Sequence, residues 1–174
     1  MSDIFSAKLK ELNQTFETDS PELELTVRDH QLGLEGYVVV WNSAPGKKSN
    51  LGPFGKGGTR ITPNLSLDEI KMLAKRMALK NAAAGLYMGG AKSGIKADPD
   101  EKNFEVKYRR FVQLIKPILR ENGGIFGGLG FDIGARPVHP KWACDELKSF
   151  KSFTGKPLEM GGTDYDKEGI AGLG

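Results

Sequence analysis

Three lysines and one aspartate stand in surroundings that suit proton transfer or anion recognition. Lys92 lies within Gly89-Gly90-Ala91-Lys92-Ser93-Gly94. Glycines on both sides remove side-chain bulk and let a ligand approach the backbone. An ammonium held in a partly enclosed pocket near other ammoniums has its pKa lowered, which suits a general base near neutral pH. The same six residues also read as a loop carrying an exposed lysine. A phosphate-cradling loop fits poorly, because the spacing G-x-x-x-x-G-K-[ST] is absent. Lys56 follows a glycine and precedes Gly57-Gly58. Asp132 lies in Gly130-Phe131-Asp132-Ile133-Gly134, between apolar neighbours. A carboxylate there could exchange protons, or it could cap the helix that follows and anchor the turn.

Lys80 belongs to a helical pattern. At about 100° per residue, the apolar stripe centres near Ile70, Met77, Asn81 and Ala84, and Lys80 falls about 20° from Leu73, on the rim of that stripe. Lys71 and Lys75 point away from it. Lys80 can therefore bury its stem and aim its ammonium at something beside the core, or it can simply snorkel to solvent.

The elements that must position these groups are legible in outline. Ile4, Leu9, Leu12 and Phe16 recur at helical spacing, which predicts an amphipathic helix over 3–17. Leu23, Leu25 and Val27 alternate with polar residues, and Leu34 to Trp41 forms a second apolar run beyond the turn at 29–33, so a hairpin is expected. The stretch 42–56 reads as loop. Ser66 and Glu69 make a capping box for a helix that Gly85 stops, with Ile70, Leu73, Ala74, Met77 and Ala84 on its apolar face. Leu86 to Met88 is expected to be a short buried strand. A helix over about 100–120 should turn Phe104, Tyr108, Phe111, Val112 and Ile115 inward and be shortened by Pro117. Ile125 to Ile133 reads as a strand interrupted by glycines, and Pro137 to Phe150 as a further helix. Strands interleaved with helices predict an α/β fold, a mixed β-sheet flanked by helices.

Bulk properties exclude several classes. The 174 residues suffice for one domain, and 39% are hydrophobic. No apolar run approaches the length of a membrane span, and the first residues carry no apolar signal core, so no membrane partner is expected. The net charge of +3 is spread along the chain, and no clustered basic face argues for nucleic acid. A single cysteine, Cys144, and two histidines, His30 and His139, argue against a Cys/His metal site. The lone cysteine suggests a reducing, cytoplasmic home. Glycine is abundant, 23 of 174 residues against an average near 7%, and clusters over 52–58, 85–94 and 123–134, which points to tight turns or backbone close to a ligand.

Taken in order, Gly52-Pro53-Phe54-Gly55-Lys56-Gly57-Gly58-Thr59-Arg60, Lys80-Asn81-Ala82-Ala83-Ala84-Gly85-Leu86, Gly89-Gly90-Ala91-Lys92-Ser93-Gly94-Ile95 and Asp132-Ile133-Gly134 resemble the N-terminal domain of the glutamate/leucine/phenylalanine/valine dehydrogenase family. The resemblance implies oxidation of an L-amino acid to a 2-oxo acid and ammonia, with hydride passing to NAD or NADP. It assigns Lys92 as the base that activates water, Asp132 as the group exchanging protons with the amino nitrogen, and Lys80 as the holder of the substrate α-carboxylate. It sets Lys56, Gly57, Gly58, Gly89 and Gly90 against substrate. It also implies a homo-oligomer, in which an edge strand near the N-terminus could pair across an interface.

Substrate choice rests on fewer residues. Lys56 stands where glutamate-type members contact the side-chain carboxylate, and Asp98-Pro99 is also glutamate-like. Gly55 is an extra residue relative to the usual spacing, and the stretches 29–41 and 80–86 resemble the leucine/phenylalanine/valine members. Glutamate is the expected substrate, because an apolar pocket would have to bury or redirect Lys56. Residues 1–153 are expected to form the substrate-binding and oligomerisation domain. Residues 154–174 resemble the start of a link to a dinucleotide-binding domain. No G-x-G-x-x-G fingerprint opens a βαβ unit in the sequence, so the chain by itself is expected not to turn over. A domain kept only for assembly or regulation is the alternative, and the retained lysines weigh against it.

Overall fold

The computed structural model describes residues 2–50, 52–156, 158–162 and 164. The stretch Ala171-Gly172-Leu173-Gly174, Pro157 and Thr163 of the expected linking segment lie outside the described residues. The described chain forms one mixed sheet with helices on both faces, as the alternation of elements implied. β1 (Leu23–Asp29) and β2 (Leu34–Val40) are the expected hairpin, antiparallel from Leu23↔Val40 to Asp29↔Leu34. Its turn is held by Asp29, whose carboxylate accepts from the Gln31 and Leu32 amides, and by Gly33 at φ +60. β5 (Gly89–Ile95) pairs antiparallel with β2 and parallel with β3 (Gly55–Lys56) and β4 (Thr59–Ile61).

β5 is the main departure from the sequence reading. The residues 89–94 are no loop: with Ile95 they are the central strand, buried at all seven positions. Leu86 and Tyr87, expected in a buried strand, are exposed. Glycine has low strand propensity, so the apolar residues attracted the prediction while the glycines made the strand. Nor does 125–133 make a regular strand. It contributes only isolated bridges, Phe126 to Gly55 and Leu119, and Leu129 to Phe153, because glycines interrupt it, Gly128 at φ +106.

Strand alternation sorts two cores. Val38, Val40, Ala91, Ile95 and Ile61 face α3 (Phe104–Ile115) and α4 (His139–Leu147). The five inward residues expected of α3 are all buried, and Pro117 ends it in a 3-10 turn. Tyr37, Val39 and Trp41 face the other way, against α2 (Leu67–Ala83). Ser66 caps α2, its hydroxyl accepting from the Glu69 amide at 3.2 Å. The stripe that α2 buries is Ile70, Ala74, Ala78 and Asn81; Ala84 is exposed. The small residues lie on the sheet because Gly90 and Gly94 present no side chain there. A Cβ at Gly90 would meet the backbone of Ala74 and Ala78. Asn81 sits inside an apolar stripe because its amide donates to Gly89 O at 2.8 Å and Lys56 O at 3.2 Å, joining α2 to two strands.

α1 (Ser2–Thr18) is the expected amphipathic helix, docked through Phe16, which packs on Trp41 with Lys75 Nζ 4.5 Å above its ring. Its remaining apolar side chains, Ile4, Phe5, Leu9 and Leu12, are exposed.

α3 and α4 meet at a ring cluster of Phe104, Tyr108, His139 and Trp142, with Tyr108 and His139 stacked at 4.8 Å. His139 Nδ1 accepts from the Arg136 amide at 3.0 Å. Burial, then the nearby Arg136 charge, pull its pKa down to about 4. The unfolded chain, with an ordinary histidine near 6.5, therefore takes up a proton that the folded chain refuses. Between these values stability falls as pH falls. His139 should account for about 2 kcal/mol of stability lost between pH 7 and pH 5. Urea denaturation at the two pH values should show that loss in the wild type and a smaller one in His139→Phe; equal losses would contradict this account.

Candidate active site

Register places the cations. Lys92 lies between Gly90 and Gly94 on β5, on the face that meets α2. Lys56 on β3 pairs with Gly90 and Arg60 on β4 pairs with Gly94, so neighbouring strands bring both to the same face. Lys80 comes down from the last turn of α2. All four line one cavity of about 460 Å³, with Leu73 and Met77 of α2 forming its apolar wall and Gly130 to Ile133 closing the far side. The volume suits a small amino acid.

Lys92 is 5% exposed, and its Nζ lies 2.6 Å from Asp132 Oδ2. Burial holds its pKa below the ordinary lysine value against the opposing pull of Asp132, and the Arg60 and Lys80 charges push the same way as burial. Of the two causes expected from the sequence, enclosure and neighbouring ammoniums, burial is the larger. Asp132 is anchored from two sides, by Lys92 and by Arg60, whose Nε donates to Oδ2 at 3.2 Å. These cations outweigh burial and hold its carboxyl below the usual range. Asp132 is thus a charged member of the cluster.

Lys56 Nζ donates to three carbonyl oxygens, Leu129 at 2.8 Å, Gly57 at 3.0 Å and Gly128 at 3.1 Å. Burial, with the Lys92 and Lys156 charges, pulls it down to about 7. Three acceptors call for three N–H donors, which only the ammonium has. Lys80 is the exposed cation of the four and stands at the cavity rim, as its helical position implied.

Gly57 and Gly58 line the cavity; a Cβ at Gly58 would meet the Phe131 carbonyl, so this glycine lets the Asp132 segment come close. Gly89 and Gly90 do not line it. They were expected against substrate, but a Cβ at Gly89 would strike Asn42 and one at Gly90 would strike α2. The bareness of Gly90 serves the packing of helix on strand, and that of Gly89 the close approach of Asn42.

Arg60 escaped the sequence reading as a site residue, although it belongs to the quoted motif. The available signal was alternation: flanked by Thr59 and Ile61, it must point to the opposite face from both. Glu69, read only as half of a capping box, accepts from Arg60 Nη1 at 2.7 Å.

Residues 21–149 match the family model described as Glu/Leu/Phe/Val dehydrogenase, dimerisation domain. The chain belongs to this family. It is 36% identical over 154 residues to an NADP-specific glutamate dehydrogenase of Saccharolobus shibatae, covering 82% of this chain and 35% of that protein. It is 36% identical over 151 residues to an NAD-specific glutamate dehydrogenase of Peptoniphilus asaccharolyticus, covering 77% and 34%. The chain thus spans about a third of the length of these curated relatives. Among solved structures it superposes on a hetero-hexameric glutamate dehydrogenase of Thermus thermophilus in a leucine-bound form, with a TM-score of 0.70 and 26% identity over 93% of this chain and 43% of that one.

Within this dehydrogenase fold, Asp132 is the only carboxylate among the described residues lining the cavity. Asp132→Asn would leave Lys92 and Arg60 facing each other with no anion between them. A loss of about 3 kcal/mol is expected, read as a lowered urea midpoint at pH 7. An unchanged midpoint would show that the cluster adds nothing to stability.

Proposed function

We infer that this chain is the amino-acid-binding half of an NAD- or NADP-dependent amino-acid dehydrogenase, and that its substrate is L-glutamate. The observation that carries the reading is the charge of the cavity: Lys56, Arg60, Lys80 and Lys92 line it with Asp132 as the one carboxylate. An amino acid with two carboxylates answers that excess. An apolar amino acid would leave Lys56 buried without a counter-charge.

In this reading Lys80, free to reach from the rim, takes the α-carboxylate. Lys56 meets the side-chain carboxylate, which must share its ammonium with three carbonyls. Lys92, with its lowered proton affinity, takes a proton from the water that adds to the imino carbon, and Asp132 exchanges protons with the nitrogen as ammonia leaves. The dinucleotide supplies the hydride acceptor. The described residues include no glycine-rich strand-to-helix turn that would cradle its pyrophosphate, so the steps here stay on the amino-acid side.

A homo-oligomer is part of the same reading. The family description as a dimerisation domain, the exposed apolar face of α1 and the position of β1 at the sheet edge support it. The one buried cysteine, Cys144, is consistent with a cytoplasmic home.

Titrating the chain with L-glutamate and with L-leucine, followed by amide chemical shifts, tests the reading. Glutamate should perturb Gly57, Lys80, Lys92 and Gly130, and Lys80→Leu should weaken it about tenfold or more. Lys56→Leu should weaken glutamate selectively. A cavity that prefers leucine, or ignores both, would overturn the substrate assignment.

A further inference from the structure

The Lys92–Asp132 contact raises a difficulty for the reading just given, and Arg60 resolves it. A lysine 2.6 Å from a lone carboxylate in a mostly buried site holds its proton firmly, because an opposite charge within about 4 Å favours the charged form. A base must be able to release its proton to the next acceptor and stand neutral between turnovers. Were Asp132 paired with Lys92 alone, each loss of that proton would also strand a buried carboxylate.

Asp132 is not paired with Lys92 alone. Its Oδ2 accepts from Arg60 Nε at 3.2 Å as well as from Lys92, and its Oδ1 lies 3.5 Å from Arg60 Nη2. Arginine stays protonated throughout the accessible pH range. The guanidinium cannot swing away, because Nη1 donates to Glu69 Oε1 at 2.7 Å, and Glu69 lies in the first turn of α2. Arg60 is therefore a flat fork fixed between two carboxylates, one belonging to the helix and one to the site.

We propose that Arg60 is the positioning residue of this site: it divides the Asp132 carboxylate between two cations, so that Lys92 is held less tightly than in a simple lysine–aspartate bridge and Asp132 keeps a partner when Lys92 is neutral. Arg60 acts through Asp132 and through its own charge. The other charged groups facing Lys92 are Lys56 from β3 and Lys80 from α2, and both favour the neutral amine as Arg60 does. Asp132 is the opposing group. Glu69 tempers Arg60 from behind. The proposal rests on Lys92 exchanging protons in the function inferred above, but its test needs no substrate.

The test is the titration of Lys92 in the chain labelled with 13C at lysine Cε, the signal assigned by its absence in Lys92→Arg. Arg60→Gln should move the Lys92 midpoint upward by about one pH unit, and Arg60→Lys, which keeps a cation beside Asp132, should leave it near the wild-type value. Glu69→Gln should move the midpoint the other way, because it removes a carboxylate and leaves Arg60 wholly to Asp132. A merely structural Arg60 would move the midpoint with neither variant. If Arg60→Gln leaves the midpoint in place or lowers it while the amide spectrum remains dispersed, the proposal fails. Should glutamate not bind while these shifts occur, the substrate assignment falls and the role of Arg60 in the cluster stands.

Discussion

A lysine in the middle of a fully buried strand is the constraint from which the rest of this structure follows. Lys92 sits on β5 with strands on either side and a helix across its face. An ammonium there without a partner would be driven to neutrality or would unfold the sheet. The chain answers with one carboxylate, Asp132, brought across from a segment forty residues further along the sequence. That segment can reach Lys92 because Gly58 leaves room for the Phe131 carbonyl and Gly134 turns the chain at φ +79. Arg60 and Glu69 extend the pairing to β4 and α2. The ion pairs thus join β5, β4, α2 and the Asp132 segment at one point.

The same constraint explains a strand rich in glycine. Each glycine in a strand interior costs roughly 0.5–1 kcal/mol relative to alanine. β5 contains three, at Gly89, Gly90 and Gly94. Flat positions on either side of Lys92 let α2 approach until Ala74 and Ala78 rest on backbone. Leu73 and Met77, displaced sideways, become the apolar wall of the cavity. A larger residue at Gly90 would lift the helix, and with it Lys80 and Glu69, away from the sheet. Helix, cations and cavity depth are set together by the absence of side chains at a few points.

Much of this was legible in the residues. The helices announced themselves by period and caps, and the hairpin by alternation around 29–33. The identity of Lys92, Lys80, Lys56 and Asp132 as a group came from motif order, and the structure brings all four to one cavity. What escaped reading shares a physical cause: local sequence carries no record of what lies across a sheet. Gly89 to Gly94 looked like a loop because glycine has no strand preference of its own, and only pairing with three strands makes it one. Asn81 could be placed on the apolar stripe but not explained there, because its two carbonyl partners are on other elements. Arg60 passed as an unremarked member of its motif because its two carboxylates are 9 and 72 residues away.

The two ends of the cavity are built differently, and that difference bears on recognition. Lys80 is exposed at the rim, so a carboxylate meeting it need displace only water. Lys56 already has three backbone oxygens around its ammonium, and a second carboxylate must compete with Gly57, Gly128 and Leu129 for the same protons. Under the function inferred above, the α-carboxylate end of an amino acid is therefore gripped at little cost, while the side-chain end gains only the difference between a carboxylate and a carbonyl as acceptor. The bonds from the ammonium to the carbonyls are already charge-assisted, so a carboxylate adds only the attraction of its full charge, less than a fresh ion pair would give. A site of this kind discriminates among side chains through the charge it must neutralise more than through the number of contacts it forms. Because the bonds to Gly128 and Leu129 also hold the glycine-rich segment against β3, any change that frees Lys56 for substrate loosens the far wall of the cavity as well.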